Sequence, residues 1–333
     1  MTSVVAIVGA GALGQAFAAH LAAADASVTL VGTARSAVAL LDAGYIRLRG
    51  ASFLDVAVSS PPAQSGIVAV TADPAQLPPG VGVVFTTKAH QLAEACAAVR
   101  GREPEWVAGV QNGLVKDDIL LDAFGRERVQ GMATIYSAAR QPSGEVAVSG
   151  LGRTYVGELD GRQSERSTVL AGVLCAAGIP TESDVDIRSV TWSKACNAAG
   201  IFGVSILTRT TAGELTSDPD LLRAYLSLVR ETAAIAAANG VQLGDYFGFP
   251  IRTYVERTDD EAIAARPAVP SPGSPRAFPS MTQDLLAGRS LEAEEIFGDL
   301  VERAECANVA APRLRLVRDL CRGLDRIAQR IGW

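Results

Sequence analysis

The stretch that most constrains this chain is its first fifteen residues. Val4-Val5-Ala6-Ile7-Val8 is a fully apolar, mostly β-branched run, Gly9-Ala10-Gly11-Ala12-Leu13-Gly14 follows at once, and an alanine-rich helical pattern continues from Gln15 to Ala24. Strand, GxGxxG, helix is the order that a dinucleotide-binding turn requires. Gly9 permits the tight turn out of the strand, Gly11 lets a pyrophosphate approach the backbone, and Gly14 lets the helix pack closely on the strand. The unpaired N–H groups and the dipole at the helix start then attract phosphates. A glycine-rich turn that holds no nucleotide would share the six letters but would not need this place between a strand and a helix. Gly9, Ala10, Gly11, Ala12, Leu13 and Gly14 are therefore assigned to cofactor binding.

The choice of dinucleotide is written at the end of the second strand, Ser27 to Val31. An acid about 20 residues past the glycines bonds the ribose 2′-hydroxyl in NAD sites. Here the chain runs Val31-Gly32-Thr33-Ala34-Arg35-Ser36, with no carboxylate. A carboxylate would repel a 2′-phosphate, whereas Arg35 beside the Thr33 hydroxyl would bind it. The expected cofactor is NADP(H). The plainer reading of Arg35 is a solvated loop charge.

Further strands follow. Ile46 to Leu48 and Phe53 to Ser59 suggest a hairpin or edge strands, while Val81 to Thr86 and Trp106 to Val110 are apolar runs suited to a sheet covered on both faces. Those two runs end in Thr87-Lys88-Ala89-His90-Gln91 and Gln111-Asn112-Gly113. A doubly wound sheet binds its ligands at such carboxyl ends. Lys88 would meet a phosphate or a substrate carboxylate, and Asn112 a ribose or a nicotinamide amide. The alternatives are a solvated lysine and an Asn-Gly turn. His90 is an acid by type, but a polar residue opening a helix is the commoner role. Val129 to Ile135, Val146 to Ser149 and Thr154 to Gly157 add strands, and Ser167 to Ala177 is helical.

From about Asp186 the β signal disappears. Helices are expected over 187–200, 218–239, 281–287, 291–307 and from Arg313 to about Ile331, with Ser217 capping the second. The expected fold is α/β: an N-terminal Rossmann doubly wound sheet over residues 1–185 plus an all-helical C-terminal domain over 186–333. A length of 333 residues suits two domains. A proline-rich stretch, 267–279, must be a loop, because Pro267, Pro270, Pro272, Pro275 and Pro279 leave no room for a helix.

Composition narrows the partners. A net charge of −6 offers nothing to nucleic acid or an anionic membrane. No apolar stretch is long enough to span a bilayer. The N-terminal apolar run is broken by glycines and lacks a basic leader, so a cytoplasmic protein is expected. Cys96, Cys175, Cys196, Cys306 and Cys321 are scattered and are expected as buried small apolar residues. With only His20 and His90, no metal site is expected.

Two stretches of the second half carry chemistry. One is Trp192-Ser193-Lys194-Ala195-Cys196-Asn197, on an otherwise apolar, small-residue helix. Lys194 either snorkels to solvent or aims into a cleft as an acid. The other is Pro279-Ser280-Met281-Thr282-Gln283-Asp284, then Gly288-Arg289-Ser290-Leu291-Glu292. Ser290 would cap a helix with Glu292 in its first turn, where a carboxylate suits the dipole.

Taken together the chain resembles the ketopantoate reductase family over essentially its whole length. The matching motifs are Gly9 to Gly14, Lys88-Ala89 with Gln91, Gln111-Asn112-Gly113, Trp192 with Lys194, Ser280-Met281 with Gln283-Asp284, Gly288-Arg289 and Glu292. The resemblance implies NADPH and substrate bound between the two domains. It implies that Lys194 is the catalytic lysine, Glu292 its acidic partner and Ser280 the holder of the substrate carboxylate. It also places Lys88, Gln91 and Asn112 near nicotinamide and substrate. A cationic lysine beside a ketone oxygen would stabilise the charge that hydride transfer develops there and then donate a proton.

The chain also departs from the family pattern. Two asparagines usually follow the lysine at four and eight residues, and here Ala198 and Phe202 stand there. Asn197, one residue early, is the nearest substitute for substrate binding. Leu291 replaces a threonine and Phe297 an asparagine. The expected activity is NADPH-dependent reduction of a 2-oxo acid or ketone, with ketopantoate to pantoate the leading candidate. The alternatives are a bulkier, less polar keto substrate, or a non-catalytic NADP sensor. A related two-domain dehydrogenase acting on β-hydroxy acids or making opines would share the fold without the Lys194 and Ser280 motifs. The expected partner is a small keto substrate, and a homodimer is compatible with the sequence.

Overall fold

The structure is a computed structural model that describes residues 4–264 and 278–331. Most of the proline-rich stretch 267–279 lies outside the described residues. The chain divides into two compact units. One runs up to Gln111 and resumes over Lys116–Ile187; the other takes Asn112–Val115 and the chain from Arg188 onward.

The first unit alternates strands and helices. In order these are β1 (Val4–Val8), α1 (Ala12–Ala23), β2 (Ser27–Val31), α2 (Ala34–Ala43), β3 (Tyr45–Gly50), β4 (Leu54–Ser59), β5 (Val68–Thr71), β6 (Gly82–Phe85), α3 (Leu92–Arg100) and β7 (Val107–Gly109). Then come α4 (Val115–Phe124), β8 (Val129–Thr134), β9 (Ser137–Arg140), β10 (Val146–Gly150), β11 (Thr154–Gly157), α5 (Glu165–Ala176) and β12 (Thr181–Ser183). Among the described residues these strands form one twelve-stranded sheet, ordered β12-β11-β8-β7-β6-β1-β2-β5-β4-β3-β10-β9.

The run β8-β7-β6-β1-β2-β5 is parallel throughout. It reverses direction of winding at β1, the point where doubly wound sheets place their ligands. In register, Ala6 of β1 sits between Thr29 of β2 and Val83 of β6. Both faces of this region are covered, which is why its strands are apolar without alternation. Val5 and Ile7 face a core with Phe17, Leu21, Leu30, Leu170 and Leu174, while Ala6 and Val8 face a second core with Val83, Phe85, Leu92, Cys96 and Leu120. The β3–β4 pair is the antiparallel hairpin that the sequence suggests. Strands β5 and β9 and helix α4 carry no strong periodic signal and emerge only in the fold.

The second unit is built on three long helices: α6 (Ile187–Thr208), α8 (Pro219–Ala238) and α13 (Pro312–Ile331). Between them lie α7 (Ala212–Ser217), a short hairpin of β13 (Asp245–Tyr246) and β14 (Phe249–Pro250), α9 (Ile251–Glu256), α10 (Asp259–Ala264), α11 (Ser280–Leu286) and α12 (Asp299–Cys306). Helix α6 runs eight residues past the expected end at 200. Gly200 and Gly203 do not break it, because the Tyr225 ring and the Leu228 side chain of α8 occupy the space a Cβ would need. Glu231, buried on α8, accepts the N–H groups of Arg313 at 3.2 Å and Leu314 at 2.7 Å. It thereby caps the start of α13 from another helix.

Several local expectations are corrected. Ser217 does not cap α8; it ends α7 and donates its hydroxyl to the Gly213 carbonyl, while the Asp218 carboxylate accepts from Asp220 and Leu221. One carboxylate oxygen, Oδ1, takes both N–H groups, at 2.8 and 3.0 Å, and its negative charge suits the start of a helix. The helix expected from 291 starts at Ala293, with a π-helical turn over Glu294–Gly298 before α12. Ser290 caps nothing: its hydroxyl accepts from Gln329, and the next N–H, that of Leu291, is taken by the Asp325 carboxylate of α13. Glu292 therefore precedes the helix instead of lying in its first turn. Cys96, Cys196 and Cys321 are buried as expected, but Cys175 and Cys306 are exposed on the outer faces of their helices.

Among the described residues no helix is long and apolar enough to cross a membrane, and no group of His, Cys, Asp and Glu could hold a metal ion.

His20 of α1 is buried in the first unit. Its Nδ1 donates to the Ala177 carbonyl at 2.8 Å, and its Nε2 lies 3.1 Å from the Tyr136 hydroxyl. Burial pushes its pKa below the usual histidine value, against a smaller opposing effect of the Ala177 carbonyl. The unfolded chain thus binds a proton at about pH 6.5 that the folded chain refuses, so this contribution to stability is present above that pH and is lost as the pH falls. We expect the wild-type Tm to fall more steeply than that of His20→Asn between about pH 7.5 and about pH 5.5 in thermal melts. A constant Tm difference across that range would show that His20 does not titrate as described.

Candidate active site

The dinucleotide turn takes the shape that its glycines permit. Gly9 has a φ of +122°, and a Cβ there would lie 2.6 Å from the Thr87 nitrogen. A Cβ on Gly14 would lie 1.9 Å from the Gly9 carbonyl oxygen, so α1 starts in direct contact with the turn. Gly11 differs: a Cβ there would meet no protein atom within 4 Å. Gly11 precedes the first residue of α1 and supplies no capping side chain. The first N–H groups of the helix therefore open onto the space above Gly11. Ala10 is buried and its carbonyl is held by Gln15 Nε2 at 2.9 Å, whereas Ala12 and Leu13 are half-buried. Thr86 Oγ1 donates to the Gly9 carbonyl at 2.8 Å and ties the turn to the end of β6.

Thr33 caps α2, its hydroxyl accepting the Ser36 N–H at 3.2 Å, and Thr33, Ala34 and Arg35 are all exposed at the carboxyl end of β2. Lys88 is half-buried at the start of a single 3₁₀ turn, Ala89–Gln91, in which His90 and Gln91 are exposed. The buried Gln111 at the end of β7 donates its Nε2 to the Phe85 and Thr87 carbonyls, each at 3.1 Å, and so joins the ends of β6 and β7. Two buried polar atoms in this region lack a protein partner, Thr87 Oγ1 and Gln111 Oε1. The sequence offered Thr87 only as the tail of an apolar strand, and Gln111 also as part of the Gln111-Asn112-Gly113 motif.

Asn112, Asn197, Lys194, Ser280 and Glu292 all belong to the second unit. The chain enters that unit at Asn112. Gly113 has a φ of +84°, and a Cβ on it would lie 2.4 Å from the Glu295 carbonyl, so only glycine fits against the π-helical turn that follows Glu292. Lys194 is half-buried on α6, and Glu292 is buried. The neighbours of Lys194 on α6 are held from several sides. Ser193 accepts the Gly244 N–H at 3.0 Å, and the Arg303 guanidinium lies 5.9 Å from the centre of the buried Trp192 ring while pairing with Asp299.

Ser280 opens α11 and is half-buried. Two residues on, the Thr282 hydroxyl lies 3.0 Å from that of Ser205 on α6, which fixes α11 against α6. Asp284 of the same motif is buried and pairs with Arg289 at 2.8 Å, so the Gly288-Arg289 segment folds back on α11.

Ala198 and Phe202, at about 40° and 80° from Lys194 around α6, are both buried on its side of the helix. Phe297 is different. It packs toward Gly203, nine residues on from Lys194 and so about 180° around the helix, and it is part of the core.

The comparisons with known proteins cover the whole chain. The family model for ketopantoate reductase PanE/ApbA matches residues 5–161, and that for the ketopantoate reductase PanE/ApbA C terminus matches residues 186–325. A 2-dehydropantoate 2-reductase of Archaeoglobus fulgidus is 30% identical over 96% of this chain and 97% of its own length. That of Halobacterium salinarum is 28% identical, over 98% and 99%. A PanE/ApbA family ketopantoate reductase from Ralstonia eutropha has a similar structure, with a TM-score of 0.78, 24% identity and coverage of 98% and 99%. D-mandelate dehydrogenase with NADH and anilino(oxo)acetate superposes with a TM-score of 0.79 at 19% identity, again over 98% and 99%. These two structural likenesses establish the fold.

The contrast between Gly11 and Gly14 is testable. Gly14→Ala forces a methyl into the Gly9 carbonyl and should cost on the order of 1–3 kcal/mol of stability, whereas Gly11→Ala should leave the Tm almost unchanged and weaken binding of a nicotinamide dinucleotide in calorimetry. Equal Tm losses for the two variants would contradict the open space assigned to Gly11.

Proposed function

The chain belongs to the ketopantoate reductase PanE/ApbA family of oxidoreductases, and we propose that it uses NADPH to reduce ketopantoate to pantoate. The observation that carries the reading is the cradle in the first unit. Open space over Gly11, uncapped N–H groups at the start of α1 and the unpartnered Thr87 Oγ1 and Gln111 Oε1 fit a bound dinucleotide. The family match supplies the reaction class.

In this reading the turn from Gly9 to Gly14 holds the pyrophosphate against the helix N-terminus. Exposed Thr33 and Arg35 bind a 2′-phosphate, since no carboxylate at the end of β2 repels it. Lys88, Gln91 and Asn112 serve nicotinamide and substrate. When bound, the cofactor supplies the hydride. Lys194 stabilises the charge that develops on the carbonyl oxygen and delivers the proton to it. Glu292, buried in the same unit, orients Lys194 or the substrate, and Ser280 holds the substrate carboxylate at the start of α11. Ala198 and Phe202 on the Lys194 side of α6 favour a second substrate class, 2-oxo acids with larger apolar groups.

The test is NADPH oxidation followed by absorbance, with ketopantoate beside bulkier 2-oxo acids and with NADH in parallel. Turnover of ketopantoate with NADPH preferred is the expected result. Turnover of only the bulkier acids would transfer the assignment to that class, and binding of NADPH without turnover would favour a sensor. Lys194→Ala should lower kcat by about 10²–10⁴-fold, and a loss within a few-fold would remove its role. Arg35→Ala should raise the KM for NADPH by about tenfold or more while leaving that for NADH nearly unchanged. Equal changes for both cofactors would refute 2′-phosphate recognition.

A further inference from the structure

Asn197 lies three residues after Lys194 on α6, which places both side chains on neighbouring parts of one helix face. Its carboxamide is half-buried and has one hydrogen bond among the described residues: Oδ1 accepts from the Tyr225 hydroxyl at 2.8 Å. Tyr225 reaches it from α8 and is held on two sides. Its ring lies against Gly200, where a Cβ would come within 2.4 Å of it, and it meets the Tyr254 ring edge to face, with centroids 6.1 Å apart and planes at 88°. Only 5% of Tyr225 is exposed, so this hydroxyl cannot swing out to solvent. Burial, with smaller effects of Tyr254 and Cys196, also keeps its pKa well above the usual tyrosine value, so it stays a donor at any working pH.

The consequence concerns the other end of the amide. A carboxamide has one acceptor oxygen and an NH₂ with two donors. With the oxygen taken by Tyr225, the NH₂ remains without a protein acceptor among the described residues, one turn along the helix from Lys194. We propose that Tyr225 is a positioning residue: its hydroxyl holds Asn197 by the amide oxygen, so that the NH₂ serves as a hydrogen-bond donor to an oxygen of a 2-oxo acid substrate. The inference rests on the reductase reading above and deepens it. It also explains how a helix that carries Ala198 and Phe202 near its lysine retains a polar contact for the substrate. A glutamine or serine at 197 would not meet the Tyr225 hydroxyl with the same atom at the same reach.

The test is steady-state kinetics of wild type, Tyr225→Phe, Asn197→Ala and the double variant, with the 2-oxo acid that wild type turns over best. Tyr225→Phe keeps the ring against Gly200 and Tyr254 and removes one oxygen. It should raise the KM for the acid by about 2–10-fold, with kcat within about twofold and the KM for NADPH unchanged. Asn197→Ala should raise the same KM at least as much, and the double variant no further than Asn197→Ala alone, because the two groups act through one contact. A wild-type KM in Tyr225→Phe would overturn the inference while leaving the reductase reading intact. So would a double variant in which the two effects add, or variants that lose Tm with KM unmoved. Wild-type protein that oxidises NADPH with none of the acids would overturn the reading and this inference together.

Discussion

The contact on which the first unit depends is the touch between α1 and the end of β1. The Gly9 carbonyl occupies the space where a side chain on Gly14 would begin. Because that space is empty of carbon, the helix can lie against the strand, and its alanines at 16, 18, 19 and 22 are fully buried. The same closeness puts the helix N-terminus at the carboxyl end of the central strand. A helix set further out would leave both a poorer core and a displaced helix N-terminus.

The rest of the sheet extends that arrangement. Thr86 and Gln111 tie the ends of β6 and β7 to the turn and to each other through backbone carbonyls. These are buried polar groups whose bonds hold loops at a defined place, which suits loops meant to meet a ligand. In the second unit the corresponding device is α6. Its small residues admit α8 closely, and the helix is braced by Ser193, Trp192 and Ser205 around the lysine. Neighbours on several sides leave the helix that carries Lys194 little freedom.

The sequence by itself determined the Rossmann turn, the apolar parallel strands and the helical character of the second half. It could do so because glycine spacing and hydrophobic period are local properties of the chain. It also carried the family, through motifs spread from Gly9 to Glu292. What failed locally failed for local competition. At Ser217 and Ser290 a serine was expected to cap a helix, but its neighbour Asp218 caps α8, and the Leu291 N–H is taken by Asp325 of α13, which no window of sequence contains.

Tertiary structure decided the remainder. Asn112 joins the unit of Lys194 and Glu292 because Gly113 packs against the turn after Glu292, some 180 residues away. Phe297, which stands where the family has an asparagine, packs toward Gly203, about 180° around α6 from Lys194. Tyr225 is one tyrosine in an ordinary amphipathic helix, and nothing in its neighbours along the chain singles it out. Only the crossing of α8 over Gly200 brings its hydroxyl to Asn197. Side-chain partners of this kind are set by how helices cross, and a crossing depends on residues far apart in the chain.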